Sequence, residues 1–379
     1  MNRILGFVKK RLFSVCVLLL CAAIAVNLLL LLLPGSAALR ASAQGSAGDS
    51  QPKKDDDYIK WVDFTVTSAA MEKALKLDID SHDGDAPLNW IELLAYLGTK
   101  YGGNFKKYKA KDMDALVEKL RGGAKMQELV ADMKYYDYYY EAYDAVLGGL
   151  TGTYQIQTAE SLENGTVVYE DKYGLKAYSP IAYGYCYSHY DDFGNSRSFG
   201  FRRTHLGNDL LGSIGTPIIA VESGVVETVG WNRFGGWRVG IRSLDGKRYY
   251  YYAHMRKNRP YHADLKEGAV IEAGDIIGYL GMTGYSDTEN VNGMSVPHLH
   301  FGMQLIFDES QKESNNEIWI DVYHIIDLLE HHKSPVVRED QTKEYYRKYA
   351  FVDPTVEALG GNIPQFEKMD EEANAALWQ

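Results

Sequence analysis

Between Pro217 and His254 the sequence runs in short stretches of β-branched and aromatic residues, each closed by a turn signal. Pro217 to Val221, Gly224 to Trp231, Trp237 to Ser243 and Arg248 to His254 are separated by Glu222-Ser223-Gly224, Gly235-Gly236 and Asp245-Gly246. Asp-Gly suits a two-residue hairpin, because its backbone twist matches that of the flanking strands. Strands this close in sequence can pair only antiparallel, which fixes the centre of the chain as an antiparallel sheet. In Tyr249 to Tyr252, period two must send half of the tyrosines to each face, so at least two pack inward or against a neighbouring domain.

Elsewhere the pattern changes. From Tyr58 to about Leu150 apolar residues recur at three and four, as in Trp90, Leu93, Leu94 and Leu97, and Gly102-Gly103 and Gly122-Gly123 act as stops. Helices are expected over Ala70 to Leu77, Leu88 to Tyr101, Asp112 to Arg121 and Met126 to Leu147. A closing helix is expected from Ile318 to Leu329. The fold class is therefore α+β and multidomain: a mostly antiparallel β domain with a barrel-like sheet and an open groove, preceded by a small all-α domain.

Ahead of both lies Phe13 to Leu33, an apolar stretch with no formal charge, following Lys9, Lys10 and Arg11. It is long enough to span a hydrocarbon core, and the positive-inside rule keeps its amino terminus in the cytoplasm. The small residues Ser36-Ala37-Ala38 and Ala41-Ser42-Ala43 also suit a signal peptidase, so a transmembrane anchor and a cleaved signal both stand. Either way the remainder is exported. Of the 40 Lys and Arg, five lie in residues 1–43 with no carboxylate, leaving 35 basic against 51 acidic groups beyond. Such an acidic body excludes a nucleic-acid partner held by bulk charge. Cys16 and Cys21 fall inside the apolar stretch and Cys186 stands alone in the rest, so no disulfide forms within the exported part.

The expected organisation is an anchor or signal at 1–43, a polar linker at 44–57, a helical accessory domain at 58–150 and a connector at 151–178. A catalytic domain at 179–332 and a polar tail at 333–379 follow.

Three histidine environments carry chemistry. His205-Leu206-Gly207-Asn208-Asp209 pairs an imidazole with a carboxylate, His254 ends a strand, and His298-Leu299-His300 opens the apolar strand to Phe307. Imidazole nitrogen and carboxylate oxygen are good zinc ligands, and three protein ligands plus water make a catalytic rather than a structural site. Period two sends His298 and His300 to one face. No H-E-x-x-H helix occurs, which excludes the Glu-base metalloprotease arrangement.

Taken in order, H-x-x-x-D, Gly215-Thr216-Pro217, the Gly-rich hairpin, Tyr252-Ala253-His254, Gly268 to Gly278, Thr283-Gly284 and His298-Leu299-His300-Phe301 resemble the lysostaphin-type, LytM-like zinc endopeptidases of bacterial cell walls. The resemblance covers about Ser179 to Phe307. It implies His205, Asp209 and His300 as ligands of one Zn2+ and His254 and His298 as catalytic histidines, with their division of labour open. It also implies peptide cross-links of peptidoglycan as substrate, and an extracytoplasmic location at the membrane or cell wall. LytM-like domains that have lost ligands serve as scaffolds or activators of other hydrolases, but here all five positions are filled. A biotinyl or lipoyl carrier shares the Gly268 to Gly278 hairpin, yet Lys247 lacks the flanking Met pair such a carrier needs.

Two segments depart from the pattern. His189, Asp191 and Asp192 would cap a turn, or supply an extra ligand or an inhibitory contact. The polar insert Asp287 to Val296 is expected to form a groove wall. His82, His262, His324, His331 and His332 lack partners at ligand spacing and are read as structural. The tyrosines are read chiefly as packing residues, with Tyr135 to Tyr143 the alternative of a wall-contacting helix face.

Overall fold

The computed structural model describes residues 58–158, 167–199, 201–312 and 314–358. The apolar stretch at 13–33 and the linker at 44–57 lie outside the described residues. Among the described residues no helix is long and apolar enough to cross a membrane.

Five helices come first: α1 (Ser68–Ser81), α2 (Trp90–Tyr101), α3 (Ala110–Arg121), α4 (Met126–Val130) and α5 (Tyr136–Leu147). Helix α2 shows how the sequence sets its ends. The Asn89 side chain accepts from the amides of Ile91 and Glu92, and Gly102 closes the helix in the left-handed region at φ 62°. Between these caps Leu93, Leu94 and Leu97 are fully buried, as their spacing requires. The single helix expected over Met126 to Leu147 is two. Met133 N–H donates to the Val130 carbonyl and Tyr136 N–H to that of Met133, so consecutive tight turns replace the helical ladder. Tyr136 and Tyr143 then face the core, while Tyr135 stays exposed.

Strands β1 (Thr151–Gln157) and β2 (Tyr169–Leu175) follow, then β3 (Ser196–Phe199), β4 (Phe201–Thr204), β5 (Asn208–Leu211) and β6 (Pro217–Ile219). The long hairpins are β7 (Gly224–Asn232), β8 (Gly236–Ser243) and β9 (Arg248–Ala253), followed by β10 (Val270–Ile271), β11 (Ile276–Tyr279), β12 (His298–Leu305) and β13 (Ile318–Ile320). The main sheet has the order β10-β7-β8-β9-β12-β13, with β5 also on β12. All its pairings are antiparallel. It is an open sheet with β10 and β13 at its edges, which replaces the expected barrel-like closure. The turn at Asp245-Gly246 joins β8 to β9, with Gly246 at φ 77°.

Strand β12 is the hub. One edge pairs with β9 from His300 to Leu305. The other is shared: His298 to Phe301 pair with β5, and Met303 to Leu305 pair with β13. Ile318 to Ile320 therefore belong to the sheet, and the closing helix α6 begins only at Tyr323 and ends at Leu329. Tyr250 and Tyr252 point into the core and pack on Phe301 at centroid distances of 6.1 and 5.2 Å.

Residues read as a polar tail also pair. Strands β14 (Val336–Arg338) and β15 (Tyr345–Arg347) form a hairpin, β16 (Phe351–Val352) joins β1, and α7 (Pro354–Ala358) follows. Arg347 anchors this segment, donating to Glu272 and Asp275 at 3.0 Å each. Polar composition concealed these strands, because their partners are charged groups of the sheet domain.

The helices and the main sheet share one hydrophobic cluster. A buried charge cluster also joins them. Arg248, with no exposed surface, donates to Glu222 at 2.8 and 3.0 Å, to Asp245 at 2.7 Å and to the Ala145 carbonyl of α5 at 2.6 Å. A Cβ on Gly149 would lie 2.0 Å from the Glu222 carboxylate, so only glycine lets the chain pass this pair. Breaking a buried ion pair strands the remaining charge. Arg248→Met is expected to lower unfolding stability by about 3–5 kcal/mol in urea denaturation, and an unchanged midpoint would contradict this role.

Candidate metal centre

Antiparallel register places His300 of β12 directly opposite Asp209 of β5, and His205 lies in the turn just before β5. The three side chains converge. His205 Nε2 lies 3.0 Å from Asp209 Oδ1 and 3.0 Å from His300 Nδ1, and His300 Nδ1 lies 3.0 Å from Asp209 Oδ1. Three lone-pair donors at the corners of a nearly equilateral triangle fit one small cation. Tetrahedral zinc with bonds of about 2.0–2.1 Å separates its ligands by about 3.3 Å, close to this spacing. Burial alone would raise the Asp209 carboxyl, but the imidazoles of His205 and His300 beside it overcome this and hold the group ionised, far below the usual carboxylate range. Gly207 permits the approach: a Cβ there would lie 2.6 Å from the Phe301 carbonyl and 2.8 Å from His300 Nε2.

A second set of contacts orients the donors. His205 Nδ1 is 3.2 Å from the carbonyl and the carboxylate of Asp192 and from Arg197 Nη2; with Nδ1–H directed at the two Asp192 acceptors, Nε2 is left bare toward the triangle. Arg197 donates to Asp192 Oδ2 at 2.5 Å and to Asp209 Oδ2 at 3.2 Å, holding both carboxylates. Buried Asn208 pins the same loop, donating to Asp192 Oδ1 at 3.2 Å and to the Tyr190 carbonyl at 2.5 Å. Asp192 thus stands behind His205 and is neither a fourth donor nor an obstruction of the cavity. His189 contacts Asn208 at 2.8 Å and Asp327 at 3.2 Å, outside the triangle.

His254 and His298 share a different geometry. The His254 Nδ1–H donates to the Thr283 carbonyl and the His298 Nδ1–H to the Val296 carbonyl, each at 2.8 Å. In both rings Nε2 is therefore the bare nitrogen. Their centroids are 4.7 Å apart, and His298 Nε2 is buried with no hydrogen-bond partner, 3.8 Å from Asp209 Oδ1. His254 sits at φ 62°, a conformation rarely adopted by a residue with a side chain. The Gly235 carbonyl accepts its amide at 2.7 Å, and Gly236 lets the β7–β8 turn lie against Thr283, where a Cβ would come within 2.4 Å of the backbone. Burial, reinforced by His298 and His300, pushes the His254 imidazole well below its ordinary range and keeps it neutral.

All five residues line one cavity of about 400 Å³. Its walls also include Arg203, Phe234, Tyr251, Met294 and Trp319. Met294 comes from the insert expected to form a wall. Trp319 was concealed in a segment with helical periodicity. Tyr251 was legible through period two, since it alternates with the buried Tyr250 and Tyr252. Arg197 and Arg203 carried no sequence signal, because their partners lie in other segments of the chain. Among the remaining histidines, His82 stacks on Tyr173 at 3.4 Å and His332 donates to the Ala177 carbonyl at 2.6 Å, both structural contacts.

Residues 203–315, which contain this constellation, match peptidase family M23. They are a peptidase family M23 domain. The sequence is similar to an L-Ala–D-Glu endopeptidase of Bacillus subtilis, 42% identical over 31% of this chain and 34% of the relative. A peptidoglycan DD-endopeptidase, ShyC of Vibrio cholerae, is 35% identical over 26% of this chain and 20% of its own length. Among solved structures, the catalytic domain of lysostaphin from Staphylococcus simulans is 30% identical, with 37% of this chain and 92% of that domain covered and a TM-score of 0.30. The chain thus spans about a third of the length of the first relative and a fifth of the second. The matched segment contains the His205–Asp209–His300 triangle together with His254 and His298, while Asp192 and Arg197 reach the triangle from outside it. Loss of such outer contacts typically weakens metal binding by about 10–100-fold. Asp192→Ala is expected to weaken zinc affinity within that range in a chelator-competition titration, with no change in circular dichroism. Wild-type affinity would show that Asp192 does not orient His205.

Proposed function

We propose that this protein is a zinc-dependent endopeptidase that hydrolyses peptide cross-links of bacterial peptidoglycan. The observation that carries the proposal is the meeting of two unlike sets in one cavity: three donor atoms at 3.0 Å from one another and two imidazoles whose bare Nε2 atoms are not among them. A merely structural metal site needs the first set and not the second. Substrate class is supported by the names of the relatives, one for an L-Ala–D-Glu bond and one for peptidoglycan.

In this reading His205, Asp209 and His300 hold the metal. A zinc ion bound there supplies a Lewis acid for the scissile carbonyl and brings the acidity of a bound water close to neutrality. His254, kept neutral by burial, is in the form that accepts a proton from the attacking water. An imidazole that has taken a proton can hydrogen-bond the developing oxyanion or protonate the leaving amine, and His254 and His298 share these duties. Their Nδ1–H bonds to backbone carbonyls fix both rings, so little reorganisation is needed during reaction. The basic segment and the apolar stretch at the amino terminus support an activity outside the cytoplasm, by anchor or by signal.

Purified cell walls incubated with the full-length protein are expected to yield new peptide amino termini by mass spectrometry, and none after chelation. Stoichiometric zinc without new termini would reject the peptidase. His205→Ala is expected to lose zinc and activity together. His298→Ala is expected to keep most zinc and lose about 10²–10⁴-fold in kcat. Equal zinc loss in the two variants would overturn the division into ligand and catalytic histidines.

A further inference from the structure

The cationic residues of the cavity are not equally committed. Arg197 is held by Asp192 and Asp209, and Lys312 by Glu227. Glu317, a carboxylate of the wall, accepts from Trp319 Nε1 at 2.7 Å. Arg203 of β4 and Arg238 of β8 reach the same cavity, and among the described residues neither makes an ion pair. In both, Nε is shut off from solvent and has no hydrogen-bond partner. An unpaired guanidinium whose donor is withdrawn from water is costly, unless an acceptor arrives.

The setting of Arg203 shows which edge is available. Its guanidinium lies 4.7 Å from the Tyr285 ring centroid and 5.3 Å from that of Phe234. Aromatic contact occupies the face of a guanidinium and leaves the in-plane N–H groups for an acceptor. Arg203, Arg238 and Tyr251 all line the one cavity, so the two cations face the same enclosed space. His205, Asp209 and His300 line that cavity too, which puts the two guanidinium groups in the same space as the triangle. The ligand that fits is a carboxylate, which a guanidinium binds through two parallel N–H bonds.

We infer that Arg203 and Arg238 form a subsite for a free carboxylate on the residue flanking the scissile bond, making the preferred substrate an acidic peptide. This rests on the peptidase reading above and adds a substrate class to it. A bridge built of glycine alone offers no such group within the chain. A peptide cut beside an acidic residue does. Arg203 and Arg238 act on specificity, so their signature is a ratio between substrates rather than a loss of turnover.

The test uses the zinc-loaded full-length protein and two peptides that share an L-Ala–D-Glu bond, one with the D-Glu carboxylate free and one with it amidated. A charge-assisted hydrogen bond present in only one complex changes the ratio by about tenfold to a hundredfold. The wild type is expected to favour the free carboxylate in kcat/KM by at least about tenfold. Arg203→Gln and Arg238→Gln are each expected to bring that ratio toward one, with zinc content unchanged. Cleavage of both peptides at equal kcat/KM by the wild type, or an unaltered ratio in both variants, would overturn the inference and leave the peptidase standing. If neither peptide is cut, binding to zinc-loaded His298→Ala by calorimetry decides separately. Tighter binding of the free carboxylate that Arg203→Gln abolishes supports the subsite even though the peptidase fails, and equal or absent binding rejects it.

Discussion

The site depends on the pairing of one strand. β12 lies between β9 and β5, and antiparallel register alone sets His300 opposite Asp209 on one side and Ala253 on the other. His254 follows Ala253 directly, and His298 precedes His300 by one period of two. Four of the five site residues are therefore placed by backbone hydrogen bonds before any side chain is considered. A slip of one residue would turn both β12 histidines to the opposite face. Tyr250 and Tyr252 packed on Phe301 oppose such a slip, because it would expel them from the core.

Around this frame, polar groups of unlike sequence position finish the work. Asp192 and Arg197 lie ahead of the β5 turn and hold His205 and Asp209 from behind. Thr283 and Val296 supply the carbonyls that fix His254 and His298. Arg248 and Glu222 do the same on a larger scale, joining α5 to the sheet through the Ala145 carbonyl. The charged side chains among them are buried or half-buried, so losing a partner leaves an uncompensated charge rather than a solvated one.

Local chemistry was what the sequence made legible. Asp245-Gly246 marked a hairpin because a left-handed backbone at its glycine is a local demand. His205, Asp209, His254, His298 and His300 stood out by residue type and spacing, and the fold brings all five to one cavity. Long-range partners left no such trace. Ile318 to Ile320 carry apolar periodicity that suits a helix, and only the free half-edge of β12 makes them a strand. Arg197, Arg203 and Arg238 look like ordinary charged residues until the fold sets them beside one cavity. The charged residues after Pro335 read as solvated for the same reason, although Arg347 is tied to Glu272 and Asp275.

The central claim is that the β5–β12 register builds a metal site distinct from the two flanking imidazoles. Anomalous diffraction from crystals of the zinc-loaded protein, recorded on both sides of the zinc absorption edge, tests it most directly. The account predicts one peak bonded at about 2.0–2.2 Å to His205 Nε2, Asp209 Oδ1 and His300 Nδ1, with His254 and His298 unbonded. A peak bonded to His254 or His298 Nε2, or one outside the triangle, would contradict it.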